Sequence, residues 1–134
     1  MAVYGFHNLK IEVDNSGGSP VDLSQYITSI GTIDKEAVSE ESHTAGDSWV
    51  EHLFVGLSRM ADVTLGGFYD DTASTGPDAV LNAIGATRTL TVTYGSTKTT
   101  SVEALIANYR RSPARGELTK FEAVLRPTGA VTEN

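Results

Sequence analysis

Apolar and polar residues alternate along several stretches of the chain, which is the spacing of a β-strand with one packed face. The alternation is most regular in Leu9–Asp14 and Thr87–Tyr94. Further strands are predicted over residues 27–33, 48–55, 62–68, 98–112 and 115–127, separated by turns rich in Gly, Pro, Asn and Ser. The last two predicted strands are long for a small domain and are expected to extend past the core.

The segment from Asp62 to Ile84 predicts a strand, an acidic turn and the one convincing helix of the chain. Adjacent glycines at 66 and 67 indicate a bulge or a close backbone approach within that strand. The predicted helix starts at Pro77, where a missing N–H costs nothing, and Asp78 favours its positive end. Val80, Leu81 and Ile84 form its apolar stripe, and Gly85 is expected to end it.

These elements predict a mainly β fold: two packed antiparallel sheets, as a β-sandwich or barrel, with one short flanking α-helix. A length of 134 residues without an internal linker indicates a single domain over 1–134. Residues 1–8 are expected to form an N-terminal arm and 128–134 a C-terminal tail. No strand pattern is visible in residues 34–48, which predict an extended acidic loop that is either ordered by a partner or the tip of a flexible hairpin.

The net charge of −7 is unevenly distributed. Residues 1–80 carry thirteen acidic side chains against three basic ones, whereas 81–134 carry seven basic against four acidic. Two oppositely charged surfaces on one subunit suit head-to-tail association, and the acidic total argues against nucleic-acid binding. The absence of cysteine excludes disulfides and thiolate zinc sites, and neither a signal peptide nor an apolar run of transmembrane length is recognisable.

Candidate catalytic and metal sites are weak, so we expect neither an enzyme nor a cofactor. His43, Asp47 and His52 lack ligand spacing for a metal, and no nucleophile elbow surrounds Ser48. The aspartates at 70, 71 and 78 are accounted for by turn and helix-cap roles rather than by a calcium loop.

Inter-subunit contact is the hypothesis that the charges favour. Guanidinium groups near a hairpin tip can meet the carboxylates of the acidic segment on an adjacent subunit. The residues assigned to this contact are Asp34, Glu36, Glu40, Glu41, Asp47, Trp49, Arg110, Arg111 and Arg115.

Three ordered segments resemble the tail tube (major tail) proteins of tailed phages. The strand–turn–helix of residues 67–81 is the first, and residues 21–30, with the sequence VDLSQYITSI, resemble that family's early segment. The closing strand over 118–129 is the third, so that the resemblance covers about residues 9–129 in order.

The resemblance implies a structural virion protein of a siphophage-like tail that self-assembles into stacked hexameric rings. Strands around 87–112 would pair across subunits and line the lumen, the helix would lie outside, and the 34–48 loop and both arms would contact the next ring. Tape measure, tail terminator and tail-tip proteins are the implied partners, with assembly in the host cytoplasm. Genomic DNA would pass through an acidic conduit without specific binding.

Two other functions stay open at this stage. A tube protein of a contractile injection or type VI secretion-like system shares the fold class and is distinguished by a sheath partner. A β-sandwich module that binds carbohydrate or a cell surface requires an exposed aromatic platform, whereas the chain has one Trp, five Tyr and four Phe, most of them at core parity.

Overall fold

The computed structural model describes residues 5–42, 44–46, 48–95 and 97–134. In these residues the chain forms one short 3-10 turn, Phe6–Asn8, and one α-helix, α1, Pro77–Leu81. The strands are β1 Leu9–Asp14, β2 Pro20–Asp22, β3 Ile27–Ile30, β4 Lys35–Ser42, β5 Glu51–Met60, β6 Val63–Phe68, β7 Thr87–Tyr94, β8 Lys98–Ser112, β9 Lys120–Pro127 and β10 Thr132–Glu133.

Eight of the strands form one antiparallel sheet in the order β2-β1-β7-β8-β9-β6-β3, with β10 beside β8. The strands at the two ends of this order, β2 and β3, are consecutive in the chain and joined by only four residues, 23–26. The Leu23 N–H donates to the Ile11 carbonyl, and the Ile27 N–H donates to the Leu23 carbonyl. The short connection brings the two edges together, so the sheet curls around its own interior.

A single core fills that interior. Alternate residues of the strands are buried, for example Ile11 and Val13 in β1 and Val63 and Leu65 in β6. Val80 and Leu81 of α1 pack into the same cluster. Burying a side chain of this size stabilises the fold by roughly 1.5–3 kcal/mol. The predicted alternation and the one-helix prediction are therefore confirmed, and the mainly β fold has two antiparallel sheets.

β8 is long, as predicted, and its two halves have different neighbours, whereas β9 begins at Lys120, five residues later than predicted. Lys98–Leu105 pair with β7, and the second half pairs with β9. Beyond β9 the chain continues along the same edge, because Thr128 bonds to Glu103 and β10 pairs with Thr100 and Ser101. The C-terminal tail predicted for 128–134 is thus partly a strand. No residue of β8 beyond Ile106 is fully buried, so its end extends past the core.

The second sheet is the β4–β5 hairpin, residues 35–60. The prediction of a loop over 34–48 is wrong for residues 35–42, which form β4. β5 also runs through Gly56, whose φ of +87° accompanies a register shift between Ala37 and Ser39. The physical reason is that β4 buries no face, and without burial there is no alternation to reveal a strand. The strand predicted over 48–55 overlaps β5, which begins at Glu51 and continues to Met60.

The central segment follows its prediction with one correction. Gly67 lies against the next strand: a Cβ there would stand 2.0 Å from the Tyr26 carbonyl oxygen, which confirms the close approach. The helix ends at Leu81, earlier than predicted, and Ile84 is exposed instead of completing its apolar stripe. In the described ranges, no helix is long and apolar enough to cross a membrane.

Candidate assembly interface

The β4–β5 hairpin is exposed along almost its whole length. Every residue of β5 except Met60 is exposed, although five of its ten residues are Leu, Phe, Val or Met. Six of the ten large hydrophobic residues exposed in the described ranges lie in this hairpin: Trp49, Val50, Leu53, Phe54, Val55 and Leu57. Soluble monomers rarely expose so many apolar side chains together, and such patches mark interaction sites.

The hairpin is joined to the body at its base. The Ala61 N–H donates to the Asp34 carbonyl, and Ile33 and Met60 pack against the core. The Lys35 Nζ lies 2.7 Å from a carboxylate oxygen of Glu133 on β10. Hydrogen bonds from Lys35 and then Thr100 hold the pKa of the Glu133 carboxyl below its usual range. A cleft of about 580 Å³ separates the hairpin base from residues 129–131.

The acidic residues assigned from the sequence lie along this hairpin. Glu36, Glu40 and Glu41 lie on β4, and Asp34 immediately precedes it. Glu36 forms an ion pair with Arg59 across the hairpin, while Glu40 faces Leu53. Trp49 is 83% exposed in the connection between the strands. Asp47 lies outside the described residues.

The register of β8 and β9 separates two of the three assigned arginines. Arg110 pairs with Glu122 and Arg111 pairs with the buried Phe121, so the two guanidinium groups leave opposite faces of the sheet. Arg110 lies 3.8 Å from the Glu122 carboxylate. Arg115 is in the turn between the strands and is exposed. The three arginines therefore do not act as one cluster.

Arg111 is bound within its own chain. Its Nη2 lies 2.6 Å from Asp78 Oδ1 at the start of α1, and its guanidinium lies over the rings of Tyr69 and Tyr109. The Tyr109 hydroxyl donates to the same oxygen of Asp78, at 2.9 Å. Burial and this hydrogen bond raise the pKa of Tyr109 to about 12. The cluster fixes α1 to the far half of β8.

Two exposed apolar residues, Phe68 and Leu118, were not singled out as site residues. Phe68 pairs with Lys120 at the end of β6, and the next residue's N–H donates to the Thr119 carbonyl. These bonds place Phe68 near Leu118, which is 69% exposed. The sequence pattern indicates the exposure of Phe68, because this residue lies on the opposite face of β6 from the buried Val63 and Leu65. We call Phe68, Arg110, Arg115, Leu118 and Lys120 the tip surface.

The described residues contain no group of three or more His, Asp or Glu side chains arranged to hold a metal. His43 and Asp47 of the weak candidate site lie outside them. Asp70 serves a turn, because its Oδ1 accepts hydrogen bonds from the Thr72 backbone at 2.7 Å and from the Thr72 hydroxyl. The hydroxyl bond and then the backbone bond lower the pKa of Asp70. The turn role predicted for this residue is confirmed.

Comparison with solved structures finds the same fold in particles with tails. A chain from the tail of an empty GTA particle, determined with C6 symmetry, superposes with a TM-score of 0.77 and 17% identity over 99% of both chains. A chain from the 6-fold symmetrised baseplate of the anti-feeding prophage gives 0.69 and 13%, over 100% of this chain and 95% of that one. A chain of the SPP1 tail tube gives 0.65 and 12%, over 98% and 79%.

Comparison of the chain at the level of sequence gives no match. No protein-family model matches it, and no curated protein is similar to it. The chain nevertheless has the fold that these tail and baseplate proteins share, as the resemblance in its sequence implied.

Proposed function

We propose that this protein is the structural subunit of a tail tube, which self-assembles into hexameric rings that stack head to tail. The observation that carries the proposal is the exposed apolar hairpin on a chain whose fold occurs in tails of 6-fold symmetry. A free monomer would expose Trp49, Phe54 and Leu57 to water, whereas a tube would bury them between subunits. The role is structural, not catalytic.

The contacts between subunits involve the residues assigned from the sequence. On the hairpin these are Asp34, Glu36, Glu40, Glu41, Asp47 and Trp49; the others are Arg110 at the far end of β8 and Arg115 in the turn after it. The role of Arg111 in these contacts is indirect, because its guanidinium is bound to Asp78 in its own chain. Different surfaces on one subunit give heterologous contacts, which close into rings or continue as open-ended stacks.

The assembled tube acts as a conduit for genomic DNA in the tail of a virion that is assembled in the host cytoplasm. The net charge of −7 supports passage without binding, since like charges repel the phosphate backbone. Tape measure, tail terminator and tail-tip proteins are the partners that such a tube requires.

A second candidate is a tube protein of a contractile injection system. It is favoured by the superposition on a chain from the anti-feeding prophage baseplate, which covers the whole of this chain. Co-purification of a sheath protein on the assembled tube distinguishes this candidate from a non-contractile tail.

Light scattering over a concentration series, with negative-stain images of the same fractions, tests the proposal. We expect rings of six subunits and open-ended tubes above a critical concentration. When spontaneous assembly is slow, fragments of preformed tube added as seeds remove the nucleation barrier. A closed dimer at all concentrations, with or without seeds, contradicts the proposed function.

A further inference from the structure

We propose that the tip surface is the docking site for the β4–β5 hairpin of a second copy of this chain. The inference rests on the proposed function and names the surface that receives the hairpin. Three observations carry it: the shared face of the tip residues, their charge, and their position at the opposite end of the body from the hairpin.

The register places most of the tip surface on one outward face. Phe68 on β6 pairs with Lys120 on β9, which pairs with Ser112 on β8. Two residues further along each strand, Gly66 pairs with Glu122, which pairs with Arg110. Paired residues project from the same side of a sheet, so Phe68, Lys120 and Arg110 share a face. It is the face away from the core, since the intervening Gly67 and Phe121 are buried.

The tip surface carries two exposed apolar residues. Phe68 ends β6 and pairs with Lys120, and Leu118 lies two residues before Lys120 in the turn that leads into β9. Phe68 is 39% exposed and Leu118 is 69% exposed. An apolar side chain of an incoming hairpin, such as Phe54 or Leu57, can pack against Phe68 and Leu118, whereas it is exposed in its own chain.

The charges of the two surfaces are complementary. Residues 34–60 carry six acidic and two basic side chains, whereas residues 107–120 carry four basic and one acidic. Of the basic residues, Arg115 and Lys120 form no ion pair within the part of the chain that the structure describes. They are available to the carboxylates of Glu40 and Glu51, which share one face of the hairpin and likewise have no ion pair there. Such complementarity fixes the register of docking and excludes wrong partners.

The positions of the hairpin and the tip surface indicate that the partner is a second copy of this chain. The hairpin leaves the body at the start of β6, next to Val63, and the tip surface lies at the other end of that strand, at Phe68. A strand of six residues spans roughly 17 Å, and the tip surface continues beyond it. A protruding element at one end and its receptor at the other produce a head-to-tail contact that repeats in one direction. This is the geometry of a stack.

The test is a pair of charge reversals. The tip variant carries Arg115→Glu and Lys120→Glu, which break no ion pair of the described chain, and the hairpin variant carries Glu40→Lys and Glu51→Lys. We expect each variant alone to remain folded by circular dichroism and to form no tubes. Mixed in equal amounts, they are expected to form tubes, since each acidic hairpin meets a basic tip and each basic hairpin an acidic tip.

A control with the same change in net charge carries Lys10→Glu, Ser16→Glu and Ser19→Glu, on β1 and in the turn after it. These residues lie outside the tip surface and outside strands 87–112, so the control is expected to assemble as the wild type does. Equal loss of assembly in this control means that net charge alone acts, which overturns the inference. Tubes from either reversed variant alone, or no recovery in the mixture, also overturn it. These outcomes leave the proposed function standing as long as the wild type forms tubes, whereas failure of the wild type contradicts the proposed function itself.

The apolar part is tested separately with Leu118→Ser. Losing a buried leucine from the contact is expected to raise the critical concentration about tenfold or more. Ile84→Ser is the control, because Ile84 is also exposed but lies outside the tip surface. An unchanged critical concentration for Leu118→Ser, or an equal rise for Ile84→Ser, counts against the tip as the receiving surface.

Discussion

At the scale of single residues, Gly67 shows how a missing side chain determines the fold. The backbone of β3 approaches so closely that a Cβ at position 67 would lie 2.0 Å from the Tyr26 carbonyl oxygen and 2.8 Å from its carbon. Backbone atoms cannot move aside as a flexible side chain can. We expect Gly67→Ala to lower the free energy of unfolding by about 3 kcal/mol, the upper range for overpacking.

Thermal or urea unfolding measures this change, and Gly129→Ala is the matched control. A Cβ at position 129 meets nothing within 4 Å, and the residue has no positive φ, so its substitution is expected to be neutral. Equal stability of the two variants would show that β3 and β6 do not approach as described.

Tyr109 gives a prediction of pH dependence. Burial and its hydrogen bond to Asp78 raise its pKa to about 12 in the folded protein, against 10.0 as its ordinary value. Between these values the folded state keeps a proton that the unfolded state has lost. The contribution of Tyr109 to stability is therefore complete below pH 10 and is lost as the pH rises towards 12. Tyr109→Phe removes the titrating group.

The measurement is urea unfolding of both proteins between pH 9 and 12, with the tyrosinate absorbance recorded alongside. We expect the stability of the wild type to fall more steeply than that of Tyr109→Phe in this range. Parallel curves would show that the hydroxyl is not held by Asp78.

The sequence predicts which face of a strand each residue lies on, but it does not predict which residue it contacts. Alternation identified the buried positions of β1, β6 and β9, because a half-buried strand repeats every two residues. Arg110 and Arg111 looked like one basic cluster, yet neighbouring residues of a strand lie on opposite faces. Only the register shows that one is directed outwards and the other is bound to Asp78, 33 positions earlier in the chain.

At the scale of elements, β4 of the hairpin and β10 are strands that the sequence pattern does not predict. β4 has the sequence KEAVSEES, with no alternation, and forms a strand by pairing with β5. β10 has two residues and is determined by its bonds to β8. Neither buries an apolar face, so neither leaves the periodic signal by which β1 and β7 were found.

The contact between these two elements carries the next prediction. The Glu133 carboxylate accepts hydrogen bonds from Lys35 at the hairpin base and from Thr100 on β8. Glu133→Gln removes the charge and weakens the connection between β10 and the hairpin. Because the pair is exposed and screened by solvent, we expect little change in global stability. The local effect is expected in amide hydrogen exchange, with faster exchange at Asn134 and in β4.

Glu117→Gln is the control for this change. Glu117 is an exposed glutamate in the turn before β9, and it has no ion pair in the described ranges. Its exchange pattern is expected to match the wild type. If Glu133→Gln leaves exchange in β4 unaltered, the ion pair does not hold the hairpin base.

At the scale of the whole molecule, the large sheet curls around the core, and two exposed surfaces with apolar residues, the β4–β5 hairpin and the tip surface, lie at its opposite ends. The mainly β class followed from the sequence, but the strand order did not, because β1 pairs with β7 and β6 pairs with β9 across long stretches of chain. The charge asymmetry between the two parts of the chain did indicate association. It could not locate the tip surface, since Phe68 and Leu118 are 50 positions apart and lie at the same end of the sheet only because β6 pairs with β9.

The proposed contact combines charge with apolar burial, and salt separates the two. Raising sodium chloride from about 0.1 to 1 M shortens the Debye length from about 10 to 3 Å, which weakens the attraction between the hairpin and the tip. Sodium sulfate at equal ionic strength screens charges too, but sulfate also strengthens apolar burial. We therefore expect a higher critical concentration for tube formation in chloride, and a smaller rise or none in sulfate. Light scattering with pelleting of the tubes measures both. A critical concentration that is insensitive to chloride contradicts the role of the acidic hairpin, and equal effects of the two salts contradict the role of its apolar residues.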